Sequence, residues 1–266
     1  MATLRLVPTE RYSVWCMEEQ APLPEPGTIR HGVRVVKAYR LPSPCENGIF
    51  VVSTGSVVDF SGDAIVNAAN RGCRGGGGVD GAITARGGAA MAKERLALPI
   101  LEGTRMDRCA TGDAKITTGG DLPAARCIHS VGPNYHMYRG LGGSLAQADE
   151  LLTSAYRRSM AVARDSGEVR TLGFALLSAG VFRGPRSLRE VLERGVRGVV
   201  AEATDKDAPF TALKEVHLVA FTNEEVEQLL AVTDEVFLGI ESKEGGGLGN
   251  ISSERMSQIW LDAAEQ

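Results

Sequence analysis

The 266 residues carry 29 lysines and arginines against 33 aspartates and glutamates, a net charge of -4, with 43% hydrophobic, 23% charged and 5% aromatic content. That length supports one domain with a full core plus extensions. The balanced charge excludes a broad polyanion-binding surface, so direct nucleic-acid binding is not expected and any phosphate must be held locally by backbone donors.

Residues 1–32, broken by Pro22, Pro24, Pro26 and Gly27, read as an N-terminal extension to a domain spanning 33–240. Residues 33–39 and 49–53 are β-rich runs separated by Pro42, Pro44 and Gly48, and 64–66 is a further short strand. A helix is expected over 81–98, weakened by Gly87 and Gly88 and ended by Pro99. Strands follow at 114–117 and 127–131, a helix at 144–165, a buried strand at 171–177 and a helix at 187–202. A late strand at 215–221 leads to a helix N-capped by Asn223, with Val226, Leu229, Leu230 and Thr233 on one face. Residues 241–266 read as a tail: a linker with Gly245, Gly246, Gly247 and Gly249, then an amphipathic stretch around Met256, Ile259 and Leu261. Alternating strands and helices predict an α/β fold, a three-layer α/β/α sandwich with a mixed, mostly parallel central sheet.

Cys16, Cys45, Cys73, Cys109 and Cys127 form no C-x-x-C pair, and the four scattered histidines add no zinc-ligand spacing. Reduced thiols, no metal, no cofactor and a cytoplasmic setting are expected, mitochondrial or nuclear ones staying open. The N-terminus has no long apolar segment, and Glu10, Glu18 and Glu19 argue against a secretory or transit peptide, so no membrane partner is expected.

Residues 63–81 read DAIVNAANRGCRGGGGVDG: an apolar run, two asparagines, four glycines and an acid opening a helix. Glycine N–H groups can approach a ligand closely, and the helix N-terminus that follows favours an anion such as phosphate. Asn67 and Asn70 each offer a donor and an acceptor suited to ribose hydroxyls, or can cap the turn. Asp80 reads as an acid stabilised by the helix N-terminus, placed at a loop edge where its replacement should spare the fold. A second loop, Ser178-Ala179-Gly180-Val181-Phe182, also follows a predicted strand, so both loops fall at one sheet edge, where ligands of such folds bind.

These motifs, with residues 109–117 and 122–133, resemble a macrodomain of the MacroD type from about residue 49 to 236. The resemblance implies a monomer that binds ADP-ribose and mono-ADP-ribosylated proteins and hydrolyses ADP-ribosyl esters of acidic residues, together with O-acetyl-ADP-ribose. It places Asn70 and Asp80 beside the distal ribose and Phe182 against it, these three being the catalytic set. Gly76, Gly77, Gly78 and Val79 are implied to hold phosphate, completed by Ser178, Ala179, Gly180 and Val181. Phe221 matches a position that stacks adenine, or is ordinary core. Two departures stand out at ligand-binding positions: Arg183 replaces a glycine, its guanidinium either reaching phosphate or substrate or pointing to solvent, and Ser56 replaces an acid that bonds the adenine amino group, with one uncharged acceptor in its place.

Two rivals remain open. A non-catalytic ADP-ribose reader would share the pocket. A nicotinamide-dependent oxidoreductase is suggested by Gly76-x-Gly78-x-x-Gly81, but its ribose-binding acid should end the next strand, and Glu94 falls inside the helix. No G-x-S-x-G elbow or G-K-[ST] phosphate loop is present.

Overall fold

The computed structural model describes residues 3–9, 12–18, 21–45 and 47–239. Strands β1 (Thr3–Thr9) and β2 (Tyr12–Glu18) pair antiparallel as a separate two-stranded sheet. The main sheet contains β3 (Ile29–Arg30), β4 (Val33–Arg40), β5 (Ile49–Thr54), β6 (Ala64–Ala68), β7 (Ala114–Thr118), β8 (Arg126–Ser130), β9 (Thr171–Ala175) and β10 (Glu215–Ala220). Its order is β3-β4-β5-β10-β9-β6-β8-β7. The five inner strands from β5 to β8 are parallel, and the edges β3, β4 and β7 are antiparallel. β3 therefore belongs to the sheet although it lies inside the stretch expected as an extension. The 241–266 tail lies outside the described residues.

The helices are α1 (Gly78–Ala97), α2 (Tyr135–Gly140), α3 (Leu145–Asp165), α4 (Leu188–Ala203) and α5 (Asn223–Leu238). Two-residue alternation along the inner strands divides the core. Phe50, Val52, Val66, Phe174, Val216 and Leu218 pack with Leu152, Tyr156, Val196 and Leu229 from α3, α4 and α5. Ile65, Cys127, Ala175 and Val219 face the other way and pack with Phe60 and with Ile83 and Met91 of α1. Helices on both faces make the three-layer α/β/α arrangement.

Several boundaries differ from expectation for local reasons. α1 starts at Gly78 and is interrupted at Gly88, where φ is 66° and ψ is -163°. Thr222, not Asn223, caps α5: its hydroxyl accepts from Glu225 N, and the Glu225 carboxylate accepts from Thr222 N in return. The strand expected over 171–177 ends at Ala175, because Leu177 N leaves the ladder and donates to Tyr156 Oη at 2.9 Å. Asp63 Oδ2 accepts from Arg170 N, Thr171 N and Thr171 Oγ1, tying the start of β6 to the start of β9. Cys45, Cys73, Cys109 and Cys127 are free and buried. No helix among the described residues is long and apolar enough to cross a membrane.

Gly173 on β9 packs closely against the layer that carries Phe60. A Cβ there would lie 2.7 to 2.9 Å from the Phe60 ring, itself fully buried. Gly173→Ala should therefore overpack this face and lower unfolding free energy by about 1–3 kcal/mol. Urea denaturation monitored by circular dichroism measures the loss.

Candidate ligand site at the ends of the parallel strands

Because β5, β6, β9 and β10 run in one direction, the segments after them meet at one end of the sheet. Ser56, Val57 and Val58 follow β5, Gly78 and Val79 end the glycine loop after β6, Ala179 and Gly180 lie in the loop after β9, and Phe221 follows β10. These residues, with Ala82, Ala175 and Glu225, line one cavity of about 430 Å³. Its walls are mainly apolar, with backbone donors at the rim, as small-molecule sites require. Phe221 is 74% exposed, so the core-packing reading of this residue is wrong: its ring stands open at the cavity.

The glycine loop supplies unpaired donors. Gly75 and Gly78 hold φ values of 93° and 59°, conformations that a side chain would strain. Among the described residues, no acceptor takes the N–H groups of Gly76 or Gly77, and those of Gly78, Val79 and Asp80 begin α1, where a helix leaves donors free. In the second loop the N–H groups of Ala179, Gly180, Val181 and Phe182 are also without a described partner. That loop is pinned by Arg183 N donating to Gly180 O and Ser178 Oγ donating to Pro133 O at 2.8 Å. Ser178 is thus buried and its hydroxyl engaged, while Val181 is exposed and Phe182 and Arg183 are half-buried. Val181, Phe182 and Arg183 are not part of the cavity lining, so the structure joins only the first half of this loop to the first.

Beneath the glycines lies a buried polar chain that the sequence reading missed in part. Asp80 is 3% exposed, not at an open loop edge. Its Oδ1 accepts from Asn67 Nδ2 and from Arg95 Nη2, each at 2.8 Å. Its Oδ2 lies 3.4 Å from Asn70 Nδ2, which donates more closely to Gly75 O at 2.7 Å. Asn70 thereby fixes the glycine loop over the carboxylate, and a Cβ at Gly76 would sit 3.2 Å from both Asn70 Nδ2 and Asp80 Oδ2. Arg95 also donates from Nε to Cys73 O at 2.9 Å and from Nη1 to Thr84 Oγ1 at 2.7 Å. One guanidinium thus holds the loop, the helix and the acid together.

Asn67 Nδ2 extends the chain to His129 Nδ1 at 3.2 Å, and His129 Nε2 meets Thr117 Oγ1 at 2.8 Å. Burial, then the nearby Arg95 charge, pushes the His129 pKa down to about 3, so its ring is neutral at pH 7. The amide donates to Nδ1, which leaves the proton on Nε2 to donate to Thr117. Asn67 Oδ1 is buried without a partner among the described residues.

Arg95 was legible in principle: Asp80, Ile83, Gly87, Met91 and Arg95 recur at three- and four-residue steps along the inner face of α1. An arginine on a buried stripe implies a buried acid. Glu225 was equally readable from Thr222-x-x-Glu225, the capping-box spacing. His129 carries no such sequence signal.

A larger cavity of about 680 Å³ lies between α3 and α4, away from these loops. Its arginines are already paired: Arg157 with Glu202 and Asp205, Arg158 with Asp113, and Arg164 with Glu202. It offers no comparable set of free donors.

A parallel-centred mixed sheet whose strand ends carry two glycine-containing loops and a buried acid is the arrangement of a macro domain. The Macro domain family model matches residues 66–207, and the chain belongs to that family. It is 39% identical over 170 residues to a macro domain-containing protein of Cupriavidus necator, covering 64% of this chain and 88% of that one. It is 37% identical over 173 residues to an O-acetyl-ADP-ribose deacetylase of Klebsiella pneumoniae, covering 65% and 89%. A solved Trypanosoma brucei macrodomain in complex with ADP-ribose matches with TM-score 0.57 and 29% identity, covering 78% and 76%. The oxidoreductase reading falls with this assignment, and Glu94 is engaged elsewhere, accepting from Thr118 N.

The Arg95–Asp80 pair yields a stability test that corrects the expectation for Asp80. Asp80→Ala strands a guanidinium that is 1% exposed and should cost about 3–5 kcal/mol. Adding Arg95→Met removes the stranded charge and should recover part of that loss. Urea titrations of both variants measure the difference.

Proposed function

We propose that this macro domain hydrolyses the ester that joins a protein aspartate or glutamate to the distal ribose of a single ADP-ribose, the activity of the MacroD type, and removes the acetyl group of O-acetyl-ADP-ribose. The observation that carries the proposal is Asp80: a carboxylate with one oxygen fixed by Asn67 and Arg95 and the other directed beneath the glycine loop. The relative named as a deacetylase and the neighbour named in complex with ADP-ribose support the same reading.

The diphosphate lies along the free N–H groups of Gly76 to Val79 and of Ala179 and Gly180, with Val181 completing that edge. These donors are in place before the substrate arrives, so they need no reorganisation to stabilise charge. Adenine lies against the exposed Phe221 ring, near Ser56, and the distal ribose lies over Asn70 and Asp80. Asp80 Oδ2 holds the attacking water, because Oδ1 is already committed to two donors. Asn70 keeps the glycine loop at the height where ribose and carboxylate meet, and Phe182, in the pinned second loop, bounds the ribose end. No protein nucleophile is needed; positioning of water at the ester carries the rate.

The partners are ADP-ribose and mono-ADP-ribosylated proteins, and the chain acts as a monomer. A pure reader is favoured by one feature, the ion pair with Arg95, which gives Asp80 a structural role that requires no reaction. Turnover separates the two.

Linkage chemistry sets the specificity. Carboxylates have pKa values near 4 and guanidinium groups about 12.5–13.8, so a carboxylate leaves unprotonated while guanidine needs strong acid assistance that one carboxylate does not supply. Matched glutamate-linked and arginine-linked substrates, followed by mass spectrometry, should release ADP-ribose from the first only. Asp80→Asn, verified as folded by its melting curve, should slow the glutamate reaction about 10²-fold or more. Equal release from both linkages, or undiminished turnover in the variant, defeats the proposal.

A further inference from the structure

A second polar cluster lies away from the ligand loops, centred on Glu215, the residue that opens β10, whereas Phe221 at the ligand cavity follows its other end. His217, two residues on, points to the same face of the sheet. Its Nε2 lies 3.2 Å from Glu215 Oε2, and the side chain is fully buried. His31, in the turn between β3 and β4, brings its own Nε2 to 3.3 Å from the same oxygen. All three atoms fall within 4.8 Å of one another. His31 lies so far from Glu215 and His217 in sequence that spacing alone gave no hint of the trio.

We propose that His31, Glu215 and His217 form a binding site for a divalent transition metal of the zinc class, which clamps the edge strands β3 and β4 onto the central strand β10. Three observations converge on it. First, two ligands bound at about 2.1 Å to a tetrahedral ion lie about 3.4 Å apart, close to the two nitrogen–oxygen separations found here. Second, His31 Nε2 is buried and makes no hydrogen bond, despite its nearness to the carboxylate. A nitrogen this close to an oxygen but not aligned for a hydrogen bond leaves both atoms free to share one cation. Third, the far nitrogen of His217, Nδ1, is held by Ser53 Oγ at 2.8 Å. Metal-binding imidazoles are oriented by such a partner on the other ring nitrogen, which leaves the Nε2 lone pair facing the ion.

Arg30 opposes the ion and makes the proposal sharper. Its Nε donates to Glu215 Oε2 at 2.5 Å and its Nη2 bonds Oε1, which neutralises the carboxylate in the metal-free state. The Arg30 side chain is 45% exposed, so it can turn out to solvent as the cation enters. Metal and guanidinium therefore compete for one carboxylate, and removing Arg30 should strengthen metal binding.

The test uses the full chain freed of metal by a chelator, then titrated with zinc chloride by calorimetry, with bound zinc counted after gel filtration. Wild type should take up one zinc per chain and melt at a higher temperature in its presence. His31→Ala, in a turn and only partly buried, should weaken binding at least about tenfold while leaving the circular dichroism spectrum unchanged. His217→Ala should do the same, and Arg30→Ala should bind zinc more tightly than wild type. No zinc uptake by wild type, retained uptake in His31→Ala through the cysteines, or unaltered affinity in Arg30→Ala would overturn the assignment.

Discussion

The site depends on one buried ion pair. Arg95 reaches from the far end of α1 to Asp80 at its start, and the same guanidinium holds the Cys73 carbonyl and the Thr84 hydroxyl. A buried ion pair adds little net stability against an apolar substitute, since both charges lose their hydration. What it contributes is position. It fixes the glycine loop relative to the helix N-terminus, and it commits one oxygen of Asp80 while the other lies 3.4 Å from Asn70 Nδ2. Asn67 on β6 braces the same oxygen, and neutral His129 on the neighbouring strand β8 holds the Asn67 amide in turn.

Backbone donors do the rest of the work that charge would do in a more basic protein. The chain has a net charge of -4, yet the two loops present a run of N–H groups without partners among the described residues, next to a helix N-terminus. Such donors are fixed by the fold and select an anion by shape. The sheet decides where they meet, because only parallel strands deliver several loops to one end. The antiparallel edges β3, β4 and β7 close the sheet without adding to that end.

What the sequence disclosed and what it concealed follow from the range of each interaction. The inner strands were readable because alternation or a continuous apolar run is local, and the glycine loop was readable because four consecutive glycines have few structural uses. Family resemblance then joined the two loops, and the cavity brings Ser56, Gly78, Val79, Ala179, Gly180 and Phe221 together. The burial of Asp80 was readable only from the stripe it shares with Ile83, Met91 and Arg95, since its counter-charge lies at the far end of the helix, beyond a break at Gly88. His129 and the His31–Glu215–His217 cluster were hidden for a stronger reason. His129 meets Asn67 only through strand pairing, and Glu215 and His217 gain His31 only when the turn between β3 and β4 folds against β10, neither of which a single strand discloses. Conversely, the cap was read at Asn223, although Glu225 marks Thr222 by the capping-box spacing and a reciprocal bond.

The central claim is that the two loops and the buried acid form one pocket shaped for ADP-ribose with a free distal ribose. Calorimetric titration with ADP-ribose and NAD addresses it most directly. The account predicts ADP-ribose binding in the micromolar range, and weaker binding of NAD, whose nicotinamide occupies the place above Asn70 and Asp80 reserved for the free ribose. Absence of ADP-ribose binding, or tighter binding of NAD, would contradict it.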